Sequence, residues 1–280
     1  MNKGIQLGRG VQSSNSNAFN LANSLKSLYN NIKKRFKIQD TAFTLAETLI
    51  VMGIIGVVAA LTIPNLNSST NNMEKVAKVK KIYAELNEAQ NRATAVYGPI
   101  ETWFVNDSTE KECHKRYFDR ITEFIKTTKI CPEDDGDSCI GGNEAKFLNG
   151  DGLAVFNEYS AILAGGSSFG EGSSFDKSCR AAWINGSSKG CAMLTVDIDG
   201  PNKGKNTLGI DLFEFSITGE GIIPYNLGAP LKFCFTDGRC TSWVIQNGNM
   251  DYLDASHEES TAGKCKHSDK TLSTTVTSCK

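Results

Sequence analysis

The chain has 280 residues, is 40% hydrophobic and carries a formal net charge of −1, which excludes a coreless chain and leaves room for one large or two modest cores. The balance hides an asymmetry: residues 1–42 hold seven basic side chains and one acid, while residues 43–280 hold 23 basic and 30 acidic ones. An acidic body argues against nucleic acid as a partner, although Lys78, Lys80 and Lys81 form a local basic patch, read as a solvated helix face.

After the basic stretch, Phe43 to Ile63 read FTLAETLIVMGIIGVVAALTI, 21 residues with Glu47 the single charge. As a helix this run is roughly 31 Å long, enough to cross a bilayer core. A basic tail, an apolar run and an acidic body in that order predict a single-pass membrane protein with its C-terminal part outside the cytoplasm. A cleaved secretory signal has shorter basic and apolar regions. A plain anchor gives no reason for Glu47, since a carboxylate at mid-membrane costs about 2.5–3.5 kcal/mol.

The residues Ala42, Phe43, Thr44, Leu45, Ala46 and Glu47, the apolar run, and then Pro64 closely resemble the N-terminus of type IV pilins and type II secretion pseudopilins. That family has a small residue before its cleavage point, an aromatic first mature residue, a Glu fifth and a Pro near the end of the apolar run. Ala42 stands where the family usually has Gly, and the leader is longer than most. The resemblance implies cleavage by a prepilin peptidase between Ala42 and Phe43, with methylation of the new amine. It also implies an inner-membrane subunit with its head outside, assembled with homologous subunits into a type II secretion or type IV pilus filament. A platform protein and a cytoplasmic ATPase would drive assembly. Physically, cleavage would leave an amine at a helix N-terminus with Glu47 one turn on, where a carboxylate suits the helix dipole and can neutralise a neighbouring subunit's amine.

Pro64 removes a helical hydrogen bond and predicts a kink or melted stretch near Pro64–Asn67. Beyond it Val76, Val79, Tyr83, Leu86, Ala89 or Gln90, Ala93 and Val96 recur at helical spacing, and Gly98-Pro99 ends the pattern. Residues 117–126 read as a short helix, 131–139 as an acidic loop, 153–163 as helix or strand, and 165–174 as a Gly/Ser loop. Strands follow at 193–198 and 212–217. The alternation of Leu231, Phe233 and Phe235, then Trp243 and Ile245, extends an antiparallel meander. The expected fold is therefore α+β and pilin-like: a long kinked N-terminal helix, half membrane-spanning and half amphipathic, packed on an antiparallel sheet head. The expected organisation is a leader (1–42), a membrane and assembly helix (43–63), an amphipathic helix (64–98), a head (99–253) and a loosely ordered polar tail (254–280).

Nine cysteines lie beyond the apolar run, none in a CxxC pair or at zinc-ligand spacing from His, so disulfides in an oxidising compartment are expected with at least one thiol left over. Cys234 and Cys240 are expected to pair across a hairpin whose three-residue loop has Gly238 in the left-handed region. Spacing suggests Cys131–Cys139 and Cys179–Cys191. Two Gly-x-Ser-x-Gly matches, at 166–170 and 186–190, lack the strand–turn–helix setting of a nucleophile elbow, and an enzyme is not expected; a secreted anchored enzyme or a DNA-binding minor pilin is the alternative. Finally, Asp197, Asp199, Asn202, Asn206 and Asp211 bring five oxygen-bearing side chains into one Gly-rich connection, a candidate calcium loop without EF-hand spacing. It resembles, in spirit, the calcium loops of some pseudopilins.

Overall fold

The structure, a computed structural model, describes residues 26, 44–132, 139–141, 145–153, 159–181, 190–201, 203–227, 231–258 and 262–280, with backbone alone at 59–69, 173, 257 and 258. The leader (Lys26 apart), the cleavage pair Ala42 and Phe43, and the candidate ligand Asn202 lie outside the described residues. The chain divides into two compact units, Met1–Thr62 and Ile63–Lys280.

Helix α1 runs Leu45–Tyr97 and stops at Gly98, whose φ of 82° no β-branched residue adopts readily and whose amide closes on Thr94 O at 2.9 Å. This is a left-handed helix terminus with Pro99 following, where no further helical turn can form.

The expected fold class and localisation both need correction here. The backbone is helical straight through Pro64–Asn67, so the anticipated melted stretch is absent. Among the described residues no helix is long and apolar enough to cross a membrane. The pilin-like plan of a long apolar N-terminal membrane helix, and the single-pass inner-membrane placement that depended on it, are therefore not what the structure has. Among the described side chains the apolar part of α1 extends only from Leu45 to Val58, short of a bilayer span.

In the second unit, Val76, Val79, Ile82, Leu86, Ala89, Gln90 and Ala93 form the buried stripe of α1. Ile82 takes the place that the spacing assigned to Tyr83, which is partly buried and stacks on Phe215 at 5.5 Å between centroids. Val96 is exposed. After a 3-10 turn, α2 (Glu110–Thr122) starts with a capping box between Thr109 and Glu112 and buries Cys113, His114, Tyr117, Phe118 and Ile121. The spacing 113, 114, 117, 118, 121 is one helical face, packed against the sheet.

That sheet has six strands in simple meander order, all antiparallel: β1 (Thr127–Cys131), β2 (Ser160–Leu163), β3 (Ser168–Phe175), β4 (Gly190–Asp197), β5 (Leu212–Thr218) and β6 (Gly221–Pro224). All seven residues of β5 are buried. Two side chains on α1 tie helix to sheet. Gln90 donates to Thr218 O (2.9 Å) and accepts from the Tyr117 hydroxyl (3.1 Å). Asn87 donates to Ile222 O (3.0 Å) and accepts the Ile222 amide (3.0 Å) on edge strand β6.

Downstream, the meander was over-extended by sequence. Leu231–Phe235 is not a strand: α3 spans Lys232–Asp237 and α4 spans Thr241–Asn247. The described residues of the polar tail form a second antiparallel sheet of β7 (Ala255–Glu258), β8 (Ala262–Cys265) and β9 (Thr271–Leu272). The segment expected as a Gly/Ser loop at 165–174 is largely β3.

Candidate functional site

The first feature is the start of α1. The Thr44 amide and hydroxyl donate to Glu47 Oε2 at 2.9 and 2.8 Å, and the Glu47 amide donates to Thr44 Oγ1 at 3.2 Å. This reciprocal capping box satisfies amides that a helix start leaves without partners. The Thr44 amide first, and its hydroxyl next, hold the Glu47 carboxyl below the ordinary value. Thr44 was passed over in sequence although Thr-x-x-Glu before an apolar run is its signature.

Along the following turns Leu45, Leu49, Ile50, Val51, Met52, Ile54, Ile55, Val57 and Val58 are 52–78% exposed. At 3.6 residues per turn, the consecutive residues 49–52 face every side of the helix. Glu47 is the single charged residue of this stretch. Pro64 lies within α1, where its backbone alone is described.

The second feature is the connection between β4 and β5. Asp197 ends β4 and is fully buried. Its Oδ1 accepts the amides of Asp199 (3.2 Å) and Gly200 (2.9 Å), while Oδ2 has no donor among the described residues. Burial first, and then the Asp199 carboxyl beside it, push the Asp197 carboxyl above its ordinary value. Asp211, 1% exposed, accepts the amides of Lys205 (2.6 Å) and Thr207 (2.5 Å). Gly204, at φ 77°, lies where a Cβ would stand 2.5 Å from Asp211 Oδ2 and 2.6 Å from Asp199 Oδ2, so both carboxylates reach one point. Asn206 adopts φ 46°, an uncommon conformation for a residue with a side chain. Its Oδ1 also lacks a donor among the described residues. Of the five sequence-predicted residues, Asp199 and Asp211 meet at Gly204 and Asp197 lies beside Asp199, while the Asn206 side chain lies against Gly141. Among the described residues, no group of three or more His, Cys, Asp or Glu is arranged to hold a metal ion.

The cysteines are paired as Cys131–Cys139, Cys179–Cys191, Cys234–Cys240 and Cys265–Cys279, leaving Cys113 free and buried. The Cys234–Cys240 bond does not bridge a hairpin. It joins α3 to the residue preceding α4, with Cα atoms 4.4 Å apart. Gly238 is left-handed there (φ 81°) as the cap of α3.

A buried pair missed in sequence is His114 Nδ1 with Glu171 Oε2 at 3.1 Å, joining α2 to β3. No local pattern announces it, since 57 residues separate the two. Of the Gly-x-Ser-x-Gly matches, the first puts Ser168 buried at the start of β3, and the serines of the second lie outside the described residues. No family model, curated protein or solved structure matches the chain.

Proposed function

We propose that the chain is a structural filament subunit of the minor-pilin or pseudopilin kind, cleaved before Phe43 and assembled through the apolar start of α1. The observation that carries this reading is the helix segment 45–58, exposed and apolar on all sides with one acid near its tip. Contiguous apolar surface of this kind marks an interaction site. One partner helix covers only a stripe, so a segment apolar all round needs several neighbours. Copies of the same segment supply them, as helices bundled along a filament axis. Glu47 then lies where a neighbour's terminal amine can meet it, and an apolar surrounding makes an unpaired charge there costly. Four disulfides support life in an oxidising compartment outside the cytoplasm.

The test joins intact mass with sedimentation of the full chain from cells carrying the assembly machinery. The expected result is a mature chain beginning at Phe43 that sediments as filaments, with Val51→Lys leaving it dispersed while near-UV circular dichroism of the disulfide-bonded part is unchanged. A chain cut elsewhere, or Val51→Lys filaments as abundant as wild type, overturns the reading.

A further inference from the structure

The bonded cysteines are not equally protected. Seven of the eight (Cys131, Cys139, Cys179, Cys191, Cys234, Cys240 and Cys265) are buried, whereas Cys279 is only partly buried. Cys279 also lines a cavity of about 640 Å³, together with Met73 of α1 and Leu253, Asp254 and His267. A disulfide is opened when a thiolate attacks one of its sulfurs, so access selects both the bond and the sulfur. Cys179 borders a second cavity but is 4% exposed. The Cys265–Cys279 bond is therefore guarded on its Cys265 side and approachable on its Cys279 side.

What this bond holds is a strap. Strand β9 pairs Thr271 with Lys264 and Leu272 with Gly263, and Leu272 is fully buried, so the chain is fixed as far as that residue. Beyond it, Asn249 Nδ2 donates to Thr277 O (2.9 Å), and Asp251 Oδ2 accepts the Ser278 hydroxyl (2.8 Å) and the Cys279 amide (2.9 Å). The Lys270 ammonium donates to Lys280 O. Such bonds are individually weak in competition with water, and Val276 between the two ends is 39% exposed. Opening Cys179–Cys191 would free no comparable segment. Ala181 and Gly190 exchange backbone bonds at 3.2 Å, and the Asp176 amide donates to Cys191 O (2.6 Å), so those two sulfurs stay together and reclose.

We propose that Cys279 is a thiol-exchange site, where a small thiol of the glutathione class opens the Cys265–Cys279 bond and frees the strap from Ser273 to Lys280 while the rest of the second unit stays closed. The incoming thiolate bonds to Cys279 Sγ as the sulfur–sulfur bond breaks, and Cys265 leaves as a thiolate that takes a proton from water. A second small thiolate then attacks the sulfur of the first, releasing Cys279 as a thiol. Two small thiols thus become one small disulfide and supply the two electrons that reduce the bond. The same small disulfide, acting in reverse, closes the strap again. Nothing in this exchange depends on how subunits join.

The experiment exposes the full chain to graded reduced glutathione, quenches with N-ethylmaleimide and maps every cysteine by mass. The expected first product carries glutathione on Cys279 and the alkyl group on Cys265, with the other three bonds opening at least about tenfold more slowly. Glutathione first on Cys265, on Cys179 or on any other cysteine, or all four bonds opening together, overturns the proposal. Amide hydrogen exchange on that first product tests the strap. Residues 273–280 are expected to exchange at least about tenfold faster than in the oxidised chain, with 262–272 unchanged. Unchanged exchange at 273–280, or protection lost across 262–272 as well, overturns the release of this segment.

Discussion

At the scale of single residues, Glu47 has two separable jobs. It caps α1 through Thr44, and under the proposed function it supplies the charge that meets a neighbour's amine. A capping box accepts Gln as well as Glu, whereas charge pairing does not. Glu47→Gln is therefore expected to keep the helix start, seen as retained amide protection near residues 47–49, yet to abolish filament assembly, and Glu47→Ala is expected to impair assembly too. Assembly restored by Gln would reduce Glu47 to a cap. Its carboxyl titrates below the ordinary value, so the folded form gains from it above that ordinary value and loses the gain as pH falls through the lowered one. The importance of Glu47 was legible in sequence, because one acid in an apolar run demands a reason. Its cap to Thr44 was equally legible, and the longer-range reading obscured it.

Among the elements, legibility followed how many patterns a segment fits. Strand β4 carries the apolar run Cys191–Leu194 and Val196, and β5 alternates with Phe213, Phe215 and Ile217 on one face; both are buried in the sheet, so the strand pattern there had no rival. Residues 231–238 fit two patterns. Leu231, Phe233 and Phe235 alternate, but Leu231, Cys234, Phe235 and Gly238 sit at helical spacing, and those four include the deeply buried positions. Disulfide geometry did not discriminate, since a Gly in left-handed conformation brings positions 234 and 240 together from a helix end as well as from a hairpin. The bond closes a loop of about seven residues, for which chain entropy gives about 2 kcal/mol. The double variant Cys234→Ser, Cys240→Ser is expected to unfold with about that loss in denaturant titration and to stay folded in water. A loss below about 0.5 kcal/mol would show that α3 and Gly238 hold this corner without the bond.

For the molecule as a whole, nine cysteines resolve into four bonds and one thiol. Burial first, and then the nearby Asp107, push the Cys113 thiol up to about 11, so it is neutral and shielded at neutral pH. Alkylation of the unreduced chain should add nothing under native conditions and one adduct, on Cys113, in denaturant; mass mapping that finds two or more adducts contradicts the connectivity. The odd count was readable from composition, but not which cysteine stands alone, because that depends on α2 carrying Cys113 into the core. The arrangement of the α1 stripe on the meander has a last consequence. The outer side of a terminal strand is a template on which a foreign strand can lengthen a sheet indefinitely. On β6 the amide of Asn87 already occupies both the N–H and the C=O of Ile222, filling that rung from within. This border of the sheet is closed to recruits, so a chain that polymerises must grow by some means other than cross-β stacking there.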